Sequence, residues 1–261
     1  MNILFIADVF GRPGRQVVKN RVPELRAELA IDVCIANCEN SASGLGITEK
    51  TADELFNAGI DVLTGGNHLW DKKEVLSYLS IENRILKPAN YPPKAIGSKY
   101  FIKNLPNNQK LAVITLCGQA FMNPTNSPFL VMEEMLPLLK QQSDFIFVDF
   151  HAEATAEKRA FGLYFDGQVS AIIGTHTHVQ TADEEILPGG TAYITDAGMT
   201  GPHSSVIGMK KEIIFEKMMT GMPTKYEVAE RGKQLNAVFI SVDDNSGKAT
   251  RIERIREKIS D

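Results

Sequence analysis

Eight side chains in this 261-residue chain invite a chemical reading. Asp8, Glu39, Asn40, Asn67, His151, His176 and His178 offer carboxylate, amide and imidazole donors, and His68 stands directly beside Asn67. Imidazole and carboxylate together suit zinc, iron and manganese, whereas magnesium and calcium prefer all-oxygen shells. Glu39 can bridge two ions, and Asn67 can offer a neutral carbonyl oxygen. His176 and His178 are two apart, so an extended segment points both the same way, while a loop lets them approach two adjacent ions. Asp8 and Glu39 bring about −2 against about +4 from two divalent ions, which leaves a pocket near +2. Such a pocket attracts a phosphate ester. Two ions roughly 3.5–4 Å apart can hold a hydroxide and polarise a phosphoryl oxygen, and the His68 imidazole can then protonate the leaving oxygen.

Taken singly these residues have ordinary readings. Asp8 can cap the turn before Gly11-Arg12-Pro13-Gly14, Glu39-Asn40 can be a solvated loop, Asn67 can be a turn residue after Gly65-Gly66, and His151 can be a hydrogen-bonded structural histidine. Their placement argues otherwise. Asp8 ends one apolar run, Glu39-Asn40 follows a second and Gly66-Asn67-His68 a third. Four of the five histidines lie at such ends, with His203 the exception.

The elements that must position them are short apolar runs alternating with amphipathic segments. Runs at 3–7, 33–36, 60–64, 111–116, 145–150, 169–173, 192–195 and 237–242, with a last charged one near 250–255, read as strands. Helices are expected at 15–29, with Pro23 as a kink or break, and at 48–56, 129–142 and 209–219. Segments 87–99 and 105–109 read as loops. The alternation predicts an α/β layered fold, and sites in open α/β sheets form beyond the carboxyl ends of strands.

These residues carry a resemblance. Asp8, Gly66-Asn67-His68, His151 and Gly174-Thr175-His176-Thr177-His178 resemble the calcineurin-like metallophosphoesterases. The likeness is closer to the YmdB-type branch. It is carried by the run from Asp8 to Arg15, by Asn67-His68-Leu69-Trp70-Asp71, by the run from Asp149 to Thr155, by the run from Gly174 to Asp183 and by Thr195-Asp196-Ala197-Gly198-Met199-Thr200-Gly201-Pro202. Phe10 and Glu39-Asn40 replace the Asp-x-His and Gly-Asp of the broad superfamily, as is typical of that branch. The resemblance implies a layered α-β-β-α sandwich of the metallophosphoesterase type, forming one domain over 1–261. It implies a first metal site of Asp8, Glu39, Asn40 and His178, and a second of Glu39, Asn67, His151 and His176, filled by iron or manganese with zinc as the alternative. His68 becomes the proton donor. The implied substrates are phosphodiesters, including 2′,3′-cyclic nucleotides opened to the 3′-phosphate, with RNA ends as a further class, and homo-oligomers are implied. A phosphomonoesterase of the same fold and a non-enzymatic metal-binding regulator are the competing readings.

Composition fits an ordinary globular protein. The formal net charge is −4 with acids and bases interspersed, which argues against general nucleic-acid affinity. Three cysteines, Cys34, Cys38 and Cys117, read as small core residues in a reducing cytoplasm. The first apolar run is too short for a signal peptide, and no stretch approaches a membrane span. Arg12 and Arg15 read as solvated or salt-bridged, with phosphate contact the alternative. Trp70 reads as packing, His203 as a loop residue near the site, and Glu153 and Thr155 as groups that orient the histidines.

Overall fold

The computed structural model describes residues 1–260. Two sheets and six helices build the mixed α/β fold. The first sheet has eight strands. Its parallel part is β1 (Asn2–Ile6), β3 (Val33–Asn37), β4 (Val62–Thr64) and β5 (Ile85–Leu86). β2 (Asp8–Val9), β12 (Met199–Pro202), β13 (Lys233–Val242) and β14 (Ala249–Lys258) extend it on the other side of β1. The second sheet has six strands. β7 (Lys110–Cys117), β8 (Phe145–His151), β9 (Ala171–Thr175) and β11 (Ala192–Ile194) are parallel neighbours, flanked by β6 (Tyr100–Asn104) and β10 (Glu185–Ile186).

Side-chain alternation along the strands explains the packing. In β1, Ile3 and Phe5 join an apolar cluster with Val113, Phe147 and Ile173 of the second sheet. The Phe5 and Phe147 ring centroids are 5.3 Å apart. Leu4 and Ile6 face the opposite way, onto Val17, Val18, Val22 and Leu25 of α1 (Gly11–Glu28) and Leu55 of α2 (Glu49–Asn57). On the far face of the second sheet, Ile114, Val148 and Phe150 pack on Met132 and Leu139 of α4 (Pro128–Gln142) and Phe161 of α5 (Thr155–Tyr164).

The main strands and helices lie where the sequence places them, with three instructive differences. α1 starts at Gly11 and runs unbroken through Pro23. An interior proline costs about 3 kcal/mol, and burial of one apolar face against the sheet outweighs it. α5 has no sequence forecast, because a fully buried Lys158 and a mid-helix Gly162 blur its apolar face. α3 (Val75–Leu79), β5, β6 and the two-residue strands are likewise missed, being short or only half-buried. α6 (Lys211–Thr220) forms as expected but buries none of its residues.

Candidate metal centre

The carboxyl ends of β1, β3 and β4 in one sheet and of β8 and β9 in the other meet at a single edge. Asp8 and the loops after β3 and β4 come from the first sheet. His151, the last residue of β8, and the loop after β9 come from the second. Every side chain singled out as a donor is drawn into this junction.

His151 Nε2 is the most crowded atom. Glu39 Oε1, Asn67 Oδ1 and His176 Nδ1 each lie 3.0 Å from it. Glu39, His151 and His176 form a compact group whose donor atoms all fall within 4.8 Å of one another. A second cluster adjoins it. His178 Nε2 is 3.2 Å from Asp8 Oδ2 and 3.1 Å from the Asn40 side-chain amide. The same amide lies 3.4 Å from Glu39 Oε1, so Glu39 is shared by both clusters. Its other oxygen accepts from the His68 backbone N–H at 3.1 Å.

The outward nitrogens of the three histidines are already engaged. The Thr175 hydroxyl donates to Asp149 Oδ1 at 2.6 Å and so accepts from His151 Nδ1 at 2.9 Å. His178 Nδ1 donates to the Ile207 carbonyl at 3.0 Å. His176 Nε2 faces Glu153 Oε2 at 3.2 Å. In neutral imidazoles this leaves the inward nitrogens as lone pairs pointing into the clusters, the arrangement metal-binding histidines need.

Asp8 provides the sharpest test of whether a cation fits. It is 0 % exposed, and neither carboxylate oxygen has a hydrogen-bond partner despite the nearby His178. A buried carboxylate that accepts no hydrogen bond costs several kcal/mol unless a cation compensates it. Gly66 makes room at the second cluster. A Cβ there would sit 2.3 Å from the His151 ring and 2.4 Å from Glu39 Oε2. The donor set and the space therefore fit divalent ions.

Electrostatics point the same way. Burial opposes ionisation of Glu39, but the charge and hydrogen bond of His151 pull its pKa down to about 2. Burial likewise disfavours a charged His151, yet Glu39 and Asp8 raise it to about 9. Ligands of a metal ion bind it in their deprotonated forms, so an ion here and a proton on His151 compete. Burial and the His151 charge lower His176 to about 3, keeping it neutral. Burial raises Asp149 to about 6 against the pull of His151 and the two hydroxyls of Thr175 and Thr64.

The backbone of the histidine loop settles the alternative left open by spacing. His176 has φ 102° and His178 φ 63°, so the segment is a loop of left-handed residues and no strand. Such conformations cost about 1–3 kcal/mol each and persist where the surroundings enforce them. A cavity of about 820 Å³ opens over the clusters. Glu39, Asn40, His68, Asp71, His176 and His178 form its polar floor, and Phe10, Ile207, Ile214, Met218 and Tyr226 form an apolar wall. His68 is partly exposed there, and its Nδ1 lies 2.7 Å from Asp71 Oδ2.

The chain matches the model of the YmdB-like protein family over residues 4–255. It belongs to that family. A relative from Bacillus subtilis (strain 168), named 2′,3′-cyclic-nucleotide 2′-phosphodiesterase, is 47% identical over 256 residues, covering 98% of this chain and 96% of the relative. Among solved structures, a hypothetical protein from Thermus thermophilus superposes with a TM-score of 0.93 at 36% identity, covering 99% of both chains. A Mycoplasma pneumoniae protein titled a novel phosphatase gives a TM-score of 0.93 at 37% identity, covering 99% of this chain and 93% of that one.

Within this family member the remaining side chains fall outside the clusters. Phe10, where the broad superfamily has a histidine, packs its ring against the edge of His178 at 5.4 Å. Arg15 bonds Glu54 and the Ser41 carbonyl. Trp70 donates to the Ile96 carbonyl and packs on Tyr91. His203 bonds the Met199 carbonyl. Glu153 meets His176 as expected, whereas Thr155 heads α5. Cys38 turns away from Glu39 into the helix-side core, and all three cysteines are buried free thiols. No helix among the described residues is long and apolar enough to cross a membrane.

Sequence reasoning quoted Asp149, Thr175 and Asp71 within motifs but gave them no role. A signal for Asp149 existed: it is the one charged residue within an otherwise apolar run, Phe145-Ile146-Phe147-Val148-Asp149-Phe150.

Proposed function

We propose that this chain is a dinuclear-metal phosphodiesterase that opens 2′,3′-cyclic nucleotides to 3′-nucleotides. The observation that carries the reading is the buried carboxylate of Asp8, which accepts no hydrogen bond and has only His178 Nε2 beside it at 3.2 Å, next to two histidine clusters that share Glu39. The name of the Bacillus subtilis relative supports the substrate class. Asp8, Glu39, Asn40 and His178 would hold one ion, and Glu39, Asn67, His151 and His176 the other. Iron or manganese fits this mixed imidazole and carboxylate set. The scaffold is read as one metallophosphoesterase domain over 1–261 with α-β-β-α layering, working in the cytoplasm as a homo-oligomer.

When bound, the ions would supply Lewis acidity at the phosphoryl oxygen and ionise water near neutral pH. The protein supplies the rest. Asp71 accepts from His68 Nδ1–H, which turns Nε2 to the cavity; as the imidazolium, His68 carries its second proton on Nε2. Water adds to phosphorus and gives up one proton to solvent, the bond to the 2′ oxygen breaks, that oxygen takes the proton from His68 Nε2, and a solvent proton restores His68. Rotating the Asn40 amide presents its oxygen to the first site. The apolar wall excludes water from one side of the cavity.

Purified protein analysed for metals and assayed on bis-p-nitrophenyl phosphate, p-nitrophenyl phosphate and 2′,3′-cyclic AMP tests the reading. Hydrolysis of both diesters and little of the monoester is expected. Turnover of the monoester alone would make it a phosphomonoesterase. Filled sites without turnover would make it a regulator, and failure to retain any metal after supplementation would overturn the centre itself.

A further inference from the structure

Lys158 of α5 and Asp196 after β11 form an ion pair, Nζ to Oδ2 2.7 Å, with side chains 1% and 0% exposed. Desolvation offsets much of the attraction in such a pair, so its presence calls for a role beyond stability. Its other bonds supply one. Lys158 Nζ donates to the Thr175 carbonyl at 2.7 Å, and Asp196 Oδ2 accepts from the Thr177 N–H at 3.0 Å. Thr175 and Thr177 bracket His176 directly.

The contact continues through the backbone. Ala197 N–H donates to the Gly174 carbonyl at 2.8 Å, and Asp196 Oδ1 accepts from Gly198 N–H at 2.8 Å. A Cβ on Gly174 would stand 1.8 Å from the Thr195 carbonyl oxygen, so the two chains run in contact. The loop so clamped is the one with left-handed His176 and His178. Backbone of that kind keeps its shape only when over-determined from outside. Lys158 also belongs to the helix that follows His151, so one side chain links both histidine-bearing segments.

We propose that Lys158 and Asp196 are positioning residues that hold the His176-Thr177-His178 loop in the conformation that receives the metal ions. Neither touches substrate. They act on the peptides either side of His176, and through them set where its Nδ1 and the His178 Nε2 point. The proposal rests on the metal-site reading above.

Cobalt(II) alone is a suitable probe, with wild type, Asp196→Asn and the double variant Lys158→Met/Asp196→Asn compared as full chains. The double variant leaves no charge buried without a partner, so it guards against simple unfolding of the single one. Three quantities are read: cobalt affinity by chelator competition, the visible absorption of the bound cobalt, and helix content by circular dichroism. Retained helix content, affinity weakened about 10–100-fold and an altered absorption band are expected. Wild-type affinity and an unchanged band in either folded variant would overturn the proposal. So would loss of helix content in both variants in step with loss of cobalt, which would assign the pair to folding alone. A wild-type protein that binds no cobalt defeats the metal-site reading first, and is told apart because it needs no variant.

Discussion

On the proposed reading, His68 stands apart from the residues that would hold the ions. Its side chain faces the cavity, held by Asp71, while only its backbone N–H meets Glu39. His68→Ala is therefore expected to keep its metals and to lose about 10²–10⁴-fold in kcat. The loss should be largest with a poor leaving group, which most needs the proton. Metal analysis beside kcat on 2′,3′-cyclic AMP checks both halves, and wild-type turnover would reject the role. The donor residues were legible because carboxylate, amide and imidazole groups recur together at the ends of apolar strands, where each aspartate or asparagine alone would pass for a turn residue. Their supports were harder to read. The Ile207 carbonyl that orients His178 carries no side-chain signature, and Thr175 resembles any strand threonine until Asp149 is seen beside it.

At the level of elements, the turns after β3, β4 and β9 do the positioning. Gly66 shows how tightly. The turn after β4 passes so close to His151 and Glu39 that no side chain fits. Gly66→Ala is expected to push these groups apart and weaken metal binding on the order of 100-fold, since small displacements of ligands and their supports act at that scale. The expected fold is intact, so an unchanged chelator-competition curve would count against the cramped turn. The strands themselves were readable from their β-branched and aromatic runs. α5 was not, because its Lys158 is buried against the neighbouring loop and so breaks the amphipathic pattern. α6 was readable yet buries nothing, which shows that a helical pattern does not say what the helix covers.

Across the whole molecule, the two sheets are joined at both edges by polar groups. At the carboxyl edge, Asn37 and Thr64 of the first sheet both bond Asp149 of the second. At the amino edge, Asp61 ahead of β4 accepts from Lys103 of β6, from Arg26 of α1 and from the Cys34 N–H. Burial would raise the Asp61 pKa, but hydrogen bonds from Arg26 and Lys103 outweigh it and hold the carboxyl below its ordinary range. A depressed folded-state pKa stabilises above the unfolded value and is lost as pH falls through the folded one. Wild type should thus exceed Asp61→Asn by about 1.5–3 kcal/mol at pH 7. The gap should hold down to about pH 4 and close below it. Denaturant titrations at several pH values would show this, and a gap independent of pH would reject it. Ions at the other edge should add to the joint. At an ion concentration 100 times the dissociation constant, binding contributes about 2.7 kcal/mol. Chelation should then lower the melting temperature by about 2–4 °C per kcal/mol, with matched scans as the check.

The naked carboxylate of Asp8 also sets a clock. Asp8 is among the first residues made, yet the side chains that would share an ion with it lie as far along as His178, on the opposite sheet. In a growing chain water answers that charge, and a protein site for a shared ion cannot form until β9 has emerged and the sheets have closed. Chains cut short before Ala171 should hold no ion in equilibrium dialysis, whereas one that did would show the first sheet sufficing alone. On the proposed metal-site reading, metal uptake would then be a late event of biogenesis, open only to a chain whose two sheets have met.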